Sequence, residues 1–211
     1  MDAAYRERMY DVLDLYQEPY DSKRPLVCLD EKPKQLLLEK REPIPMRPGI
    51  PERYDWEYVR KGMVNIFLAV EFKAGRRVAQ VTRRRAMTDF ALFVRMVVDE
   101  YGDADVIRLV MDNLSTHKEK AFRQAFGRDE AERIKGRIEL HYTPRHGSWL
   151  NAAEIEVGVM DTECTGRRIG DKQTLAREVA AWAKRRNHDR KRIDWKFTRK
   201  RADKKFSKHY V

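Results

Sequence analysis

The sequence predicts an α/β fold: a mixed sheet in which an antiparallel meander precedes parallel strands joined by helices. Three observations carry this. "PLVCLDEKP" (25–33) is a compact apolar run of the buried-strand type, ending in acids and stopped by Pro33. "MVNIFLAVEFKAGRRVAQVT" (63–82) reads as a hairpin, with a nearly all-apolar first strand, a KAGR turn and an alternating return strand. Beyond it the period lengthens from two to that of a helix, and helical segments alternate with short apolar strands.

In chain order, "AAYRERMYDVLDLYQ" (3–17) predicts a short helix, and 1–24 as a whole reads as a helix-and-linker remnant. "KQLLLEK" (34–40) could form a second strand, and 41–61, rich in Pro, Arg and aromatic residues, an ordered loop. "TDFALFVRMVVDEYG" (88–102) sets Phe90, Phe93, Val94, Val97 and Val98 on one helical face, with Thr88 as N-cap and Gly102 as stop. "VIRLVMDN" (106–113) is a strand ending at Asp112. "STHKEKAFRQAFG" (115–127) is a helix opened by Ser115 or Thr116, and "RIELHYTP" (137–144) a strand closed by Pro144. "NAAEIEVGVM" (151–160) and "DKQTLAREVAAWAKRR" (171–186) are closing helices. Right-handed crossovers then place the strands of Asp30 and Asp112 side by side and parallel. Both acids fall at carboxyl ends of strands, where such sheets gather ligand chemistry.

The 211 residues, 42% hydrophobic and 37% charged, suit a globular protein with one sizeable core. No apolar run reaches bilayer length, and the N-terminus lacks an apolar signal core, which predicts a cytoplasmic protein away from membranes. Cys28 and Cys164 stand far apart, which argues against a disulfide framework or a Cys-based zinc site. Of the net charge of +11, residues 184–209 carry +10. A basic tail (184–211) with Trp195, Phe197 and Phe206 interleaved suits a polyanion, and the pattern points to nucleic acid. Its contacts would be Lys184, Arg185, Arg186, Arg190, Lys191, Arg192, Lys196, Arg199, Lys200 and Arg201.

Two strand-end aspartates and a glutamate opening a later helix could converge. Carboxylates so gathered need a cation, because like charges raise each other's pKa. Mg²⁺ takes oxygen ligands and only one or two protein carboxylates per ion, and a pair of such ions holds attacking and leaving oxygens at a phosphorus. Plainer readings stand beside this one. Asp30 could be a charged strand terminus, and Asp112-Asn113 turn residues. Glu154 could be the acid of a capping box begun by Asn151. Glu156 points about 200° around the helix from Glu154, so only one of them can face a given site, and Glu156→Gln is expected to be close to silent. Gly158 falls inside the same helix at a cost of about 1 kcal/mol.

"VCLDEKPKQLL", "LVMDNLSTHK" and "HYTPRHGSWLNAAEIE" together resemble the DDE catalytic domain of bacterial insertion-sequence transposases of the mariner-like superfamily, from about Pro25 to Phe197. The resemblance implies a ribonuclease-H-like mixed five-stranded sheet with helices on both faces, in a catalytic domain over 25–183. It implies Asp30, Asp112 and Glu154 as catalytic ligands of two Mg²⁺ or Mn²⁺ ions, with Asn113, His117, His146, Trp149 and Asn151 in support. The implied activity is cleavage of transposon ends and strand transfer into target DNA, by a homodimer on DNA in the bacterial nucleoid. A helix-turn-helix region does not fit within the first 24 residues, so a separately encoded N-terminal partner could supply end recognition. Two other readings share these features: another nuclease of the same fold, and a non-catalytic DNA-binding or dimerising relic.

Overall fold

The computed structural model of the chain describes residues 1–113 and 120–210. Helix α1 (Ala3–Gln17) leads into β1 (Leu26–Glu39), β2 (Tyr58–Glu71) and β3 (Arg76–Thr82); α2 (Met87–Glu100), β4 (Ile107–Met111), α3 (Lys120–Phe126), α4 (Arg128–Lys135) and β5 (Ile138–Tyr142) come next. Helices α5 (Ala152–Met160), α6 (Lys172–His188) and α7 (Arg199–Phe206) close the order. The strands form one sheet in the order β3-β2-β1-β4-β5. β1, β2 and β3 are antiparallel neighbours, whereas β4 and β5 continue from β1 in parallel. This is the mixed sheet expected from the sequence.

Strand alternation sends successive side chains to opposite faces. Val27, Leu29, Phe67, Ala69, Leu109 and Met111 meet Phe90, Phe93, Val94, Val97 and Val98 of α2 in one core. Leu26, Cys28, Val70 and Val110 face the other way, under Met9, Val12 and Leu13 of α1 and the start of α5. Ile66 and Leu68 on that second face meet Met160, Leu175, Val179 and Trp182, the last fully buried. Burying each such side chain contributes about 1.5–3 kcal/mol. Both faces are therefore roofed by helices, and β1 and β4 part between them just beyond Cys28 and Val110.

Four local expectations are corrected. Pro33 does not stop a strand: β1 runs through it and absorbs 34–39, with Pro33 opposite Asn65 of β2. Beyond Cys28, β4 no longer pairs with β1. One flank of β1 is free of strand partners there, which is where proline is tolerated. Thr88 does not cap α2; the helix starts two residues earlier than that cap implies, after Ala86, and the Asp89 carboxylate accepts from the Ala86 N–H at 3.1 Å. Helix α4 forms where the sequence pattern gave no helix. Residues 41–57 carry bridges between Ile44 and Arg53 and between Arg47 and Ile50, and expose Met46 and Trp56, the latter by 93%. Ser115 and Thr116 lie outside the described residues.

Gly158 sits within α5, which runs directly into a π-helical turn over Asp161–Thr165. A Cβ built at Gly158 meets nothing within 4 Å. Gly158→Ala is therefore expected to stabilise the chain by about 0.5–1 kcal/mol, seen as a raised Tm in thermal denaturation; a lowered Tm would show that this helix needs glycine.

The ends of the chain are part of the core. Tyr16 of α1 is buried against Phe72 and Trp195, and Trp195, Phe197, Phe206 and Tyr210 pack against the cluster that holds Met9 and Leu13. Residues 1–24 are thus an integral layer. The boundary expected at 183/184 falls inside α6, and the segment beyond that helix is folded onto α1, with Tyr10 bonded to Asp203 and Arg199 to Asp14.

Candidate active site

The pairing of β1 with β4 runs Leu26–Arg108, Val27–Leu109, Cys28–Val110. Continuing that parallel register two residues brings Asp30 level with Asp112, on the face that carries Cys28 and Val110. The same face receives the N-terminus of α5. Its placement rests on Asn151, a buried residue with both ends of its amide in use. Oδ1 accepts from the Ala153 N–H at 3.1 Å and caps the helix, while Nδ2 donates to the Leu29 carbonyl at 2.8 Å, one residue before Asp30. Tyr16 adds a second tie, its hydroxyl donating to the Leu150 carbonyl at 2.9 Å and accepting from the Ala152 N–H at 3.1 Å. Sequence reasoning missed Tyr16; a tyrosine on an apolar helix face carries no local mark of such a role.

Glu154 stands one turn into α5, exposed. It closes no capping box, because the Asn151 N–H that it would accept from donates instead to the Ser148 carbonyl at 2.7 Å. Asp30 is more enclosed, its Oδ1 accepting from the Glu31 N–H at 2.8 Å. Burial, against that hydrogen bond, and in smaller part the charges of Glu154, Asp112 and Glu31 together push the Asp30 carboxyl up to about 7. The three acids thus share one electrostatic neighbourhood. Among the described residues, no three His, Cys, Asp or Glu groups are already drawn in around a single metal-sized point.

That raised value has a consequence for stability in the absence of metal. Asp30 keeps its proton up to about pH 7 in the fold but only to about pH 4 in the unfolded chain. Between these values the folded state binds more protons, so its stability falls as pH rises through the window. Asp30→Asn is expected to raise Tm by several degrees above about pH 7 in EDTA and to leave it near the parent value below about pH 4. An equal shift at both pH values would contradict the assignment.

The remaining predicted residues scatter. Asn113 is exposed beside Asp112, and His117 lies outside the described residues. His146 is exposed, with a left-handed backbone (φ 61), in a cleft beside Met1, Tyr5 and Arg8. Trp149, 41% exposed, packs on Phe197 and Phe206 and so ties the C-terminal segment to the turn before α5. Of the basic residues, Arg186 is turned inward and Arg199 is paired with Asp14. Lys196 is paired with Asp194, and Lys184, Arg185, Lys191, Arg192, Lys200 and Arg201 are on the surface or at its margin. Arg190 has a left-handed backbone (φ 48) and holds the turn at Gly75, where an added Cβ would come within 2.6 Å of the Arg190 carbonyl.

Glu156 overturns its expectation. It is fully buried and grips Arg77 of β3 through two hydrogen bonds, 2.8 and 3.0 Å, and Arg186 of α6 at 2.6 Å. Arg186 also reaches Glu163, which accepts from the Trp182 indole N–H at 2.8 Å. The roughly 200° between positions two apart on a helix puts Glu154 and Glu156 on opposite sides. One side faces the acids, and the other locks α5 to β3 and α6.

Residues 25–176 match the family described as DDE superfamily endonuclease. No curated protein matches the chain in sequence. Among solved structures, the catalytic domain of Mos1 mariner transposase is 12% identical, with 90% of each chain covered and a TM-score of 0.53. The Mos1 transposase paired-end complex with the left transposon end is also 12% identical, with a TM-score of 0.55 over 90% of this chain and 60% of that one. The Mos1 strand transfer complex gives a TM-score of 0.56 at 12% identity over 89% of this chain and 57% of that one. At such identities the likeness is one of fold, the ribonuclease-H-like mixed sheet. The chain spans about 60% of the length of the transposase in the paired-end complex.

Proposed function

The chain belongs to the DDE superfamily of endonucleases, and from that premise we propose that it is a transposase catalytic domain that cuts DNA at transposon ends and joins them to target DNA. The observation that carries this reading is the shared electrostatic neighbourhood of Asp30, Asp112 and Glu154, just past the point where the parallel pairing of β1 with β4 ends and at the start of α5. Each acid comes from a different element, and Asn151 and Tyr16 hold the elements together.

The donor set fits hard divalent cations. It consists of carboxylates with neither thiolate nor imidazole among them, and Asp30 carries a raised carboxyl that a neighbouring cation would relieve. Asp30, Asp112 and Glu154 would hold Mg²⁺ or Mn²⁺, two ions in this proposal, and the Mos1 mariner paired-end complex has been solved with Mn. Bound there, the cations would polarise a phosphodiester and activate water or a 3′-hydroxyl against it. The protein's own part is positioning. Asn151 fixes the distance between the Glu154 helix and the Asp30 strand, and Glu156 fixes the roll of that helix. The bacterial insertion-sequence branch, a homodimer on DNA and a separately supplied end-recognition region belong to the same proposal. So do supporting roles for Asn113, His117, His146 and Trp149.

The test is nicking of supercoiled DNA, and of duplex bearing candidate ends, in Mn²⁺ or Mg²⁺. Cleavage is expected from the parent chain and lost in Asp112→Ala. A parent chain that neither binds Mn²⁺ in calorimetry nor nicks DNA, even with an end-binding domain supplied, overturns the reading.

A further inference from the structure

The cations at the C-terminal end of α6 and the three acids sit at opposite ends of the sheet. Helix α6 begins beside the outer part of β1, where the Ile169 carbonyl accepts from the Leu37 N–H at 2.9 Å and Gly170 lies against Leu38. It runs for 17 residues, about 25 Å. Where it ends, Asn187 exchanges hydrogen bonds with the Arg77 backbone at 2.7 and 2.8 Å. Arg77 pairs with Val70, and Val70 with Cys28. Arg190, Lys191 and Arg192 therefore gather toward the amino-terminal end of β1, away from the edge at which Asp30 and Asp112 open.

A different set of cations stands at that edge. Arg83, Arg84 and Arg85 come directly after β3 and are exposed. Asp30 pairs with Leu68, and Leu68 with Ala79, so Arg83 lies four residues past the level of the acid. That is about 13 Å along the strands and about 10 Å, two strand spacings, to the side. Lys61 projects from the same end of β2, and Lys172 opens α6. Lys61, Arg83 and Lys172 line one cleft of about 730 Å³. Its carboxylate, Asp171, is occupied as a helix cap and accepts from the Thr174 N–H at 2.8 Å. Among the described residues, Lys61, Arg83, Arg84 and Arg85 make no ion pair. Like charges held together without counter-charges repel one another, an arrangement relieved by a polyanion.

The geometry points to this strip, Lys61 and Arg83–Arg85 with Lys172 at its margin, as the surface that holds the phosphate backbone of duplex DNA beside the acids. The inference rests on the nuclease reading given above and extends it to residues outside the basic C-terminal segment. One turn of duplex, about 34 Å, is long enough to lie over the acids and the strip together. Contacts of this kind position the duplex without reading its sequence.

Fluorescence anisotropy with a labelled duplex in EDTA, at about 50 to 200 mM salt, tests it. In Lys61→Gln/Arg83→Gln/Arg84→Gln/Arg85→Gln the affinity is expected to fall at least about tenfold, and the slope of log K against log salt by up to about 3.6. Lys184→Gln/Lys191→Gln/Arg192→Gln is expected to stay within about twofold of the parent, with the same slope. Parent-like binding by the first variant, or an equal loss in the second, overturns the assignment. Because EDTA blocks cleavage, binding is scored apart from nicking. A parent chain that binds through the strip but never nicks counts against the nuclease reading alone.

Discussion

Glu156→Gln is expected to destabilise the fold by about 3–5 kcal/mol, because it leaves two guanidinium groups facing an uncharged amide in a site closed to water. For a chain of this size that is a fall in Tm of about 6–20 °C. The side chains of Arg77 and Glu156 are both fully buried, so solvent does not screen the loss. Glutamine keeps the volume and the acceptor oxygen, which isolates charge from packing. The double variant Arg77→Met/Glu156→Met supplies the control: well-packed apolar residues often replace a buried pair at little cost, so it should recover part of the loss. Thermal denaturation of the parent, Arg77→Met, Glu156→Met and the double variant gives the coupling directly. A Glu156→Gln protein melting within a degree or two of the parent would mean that the ion pairs contribute nothing to the fold.

Glu154→Gln, two residues away, is expected to do the reverse. The side chain is exposed and makes no hydrogen bond or ion pair among the described residues, so Tm should move by no more than a degree or two. Any shift should be upward, since one like charge near Asp30 is removed. Metal-dependent cleavage should be lost beyond the about 10–100-fold that a merely supporting residue costs, and Mn²⁺ affinity measured by calorimetry should fall with it. Wild-type Mn²⁺ affinity and cleavage in Glu154→Gln would remove the third acid from the site. The pair is informative together: one glutamate should control activity without stability, while its neighbour on the far side of the helix controls stability first.

Those two outcomes separate what local sequence shows from what it hides. The placement of Asp30 beside Asp112 was legible because each ends an apolar run, and a crossover rule then made the runs parallel neighbours. The hairpin, the buried face of α2 and the Asn151 cap were legible for the same reason, since their signals span only a few residues. Glu156 was not legible. Its partners lie 79 and 30 positions away, and an acid near a helix start has a ready local explanation. Pro33 misled because proline stops a strand only where a partner needs its N–H, and nothing local reports which flank of β1 is paired. The packing of the basic C-terminal segment was hidden in the same way. Its charge was plain, but the aromatic residues between the charges serve a core whose other half lies at the opposite end of the chain.

That last feature bears on how the chain is made. Met9, Val12 and Leu13 leave the ribosome long before the residues that cover them, since the cluster that buries them includes Ile193, Trp195, Phe197 and Ala202. The N-terminal NH₃⁺ itself donates to the His209 carbonyl at 2.6 Å. At about 5–20 residues per second, α1 spends roughly 10–40 s of synthesis without its final cover. The sheet core under α2 can consolidate during elongation, whereas the layer that carries Tyr16 can close only once the segment around Trp195 has emerged. Since Tyr16 fixes the start of α5, the acidic site is completed only after that segment has emerged, on a sheet core that can already be in place.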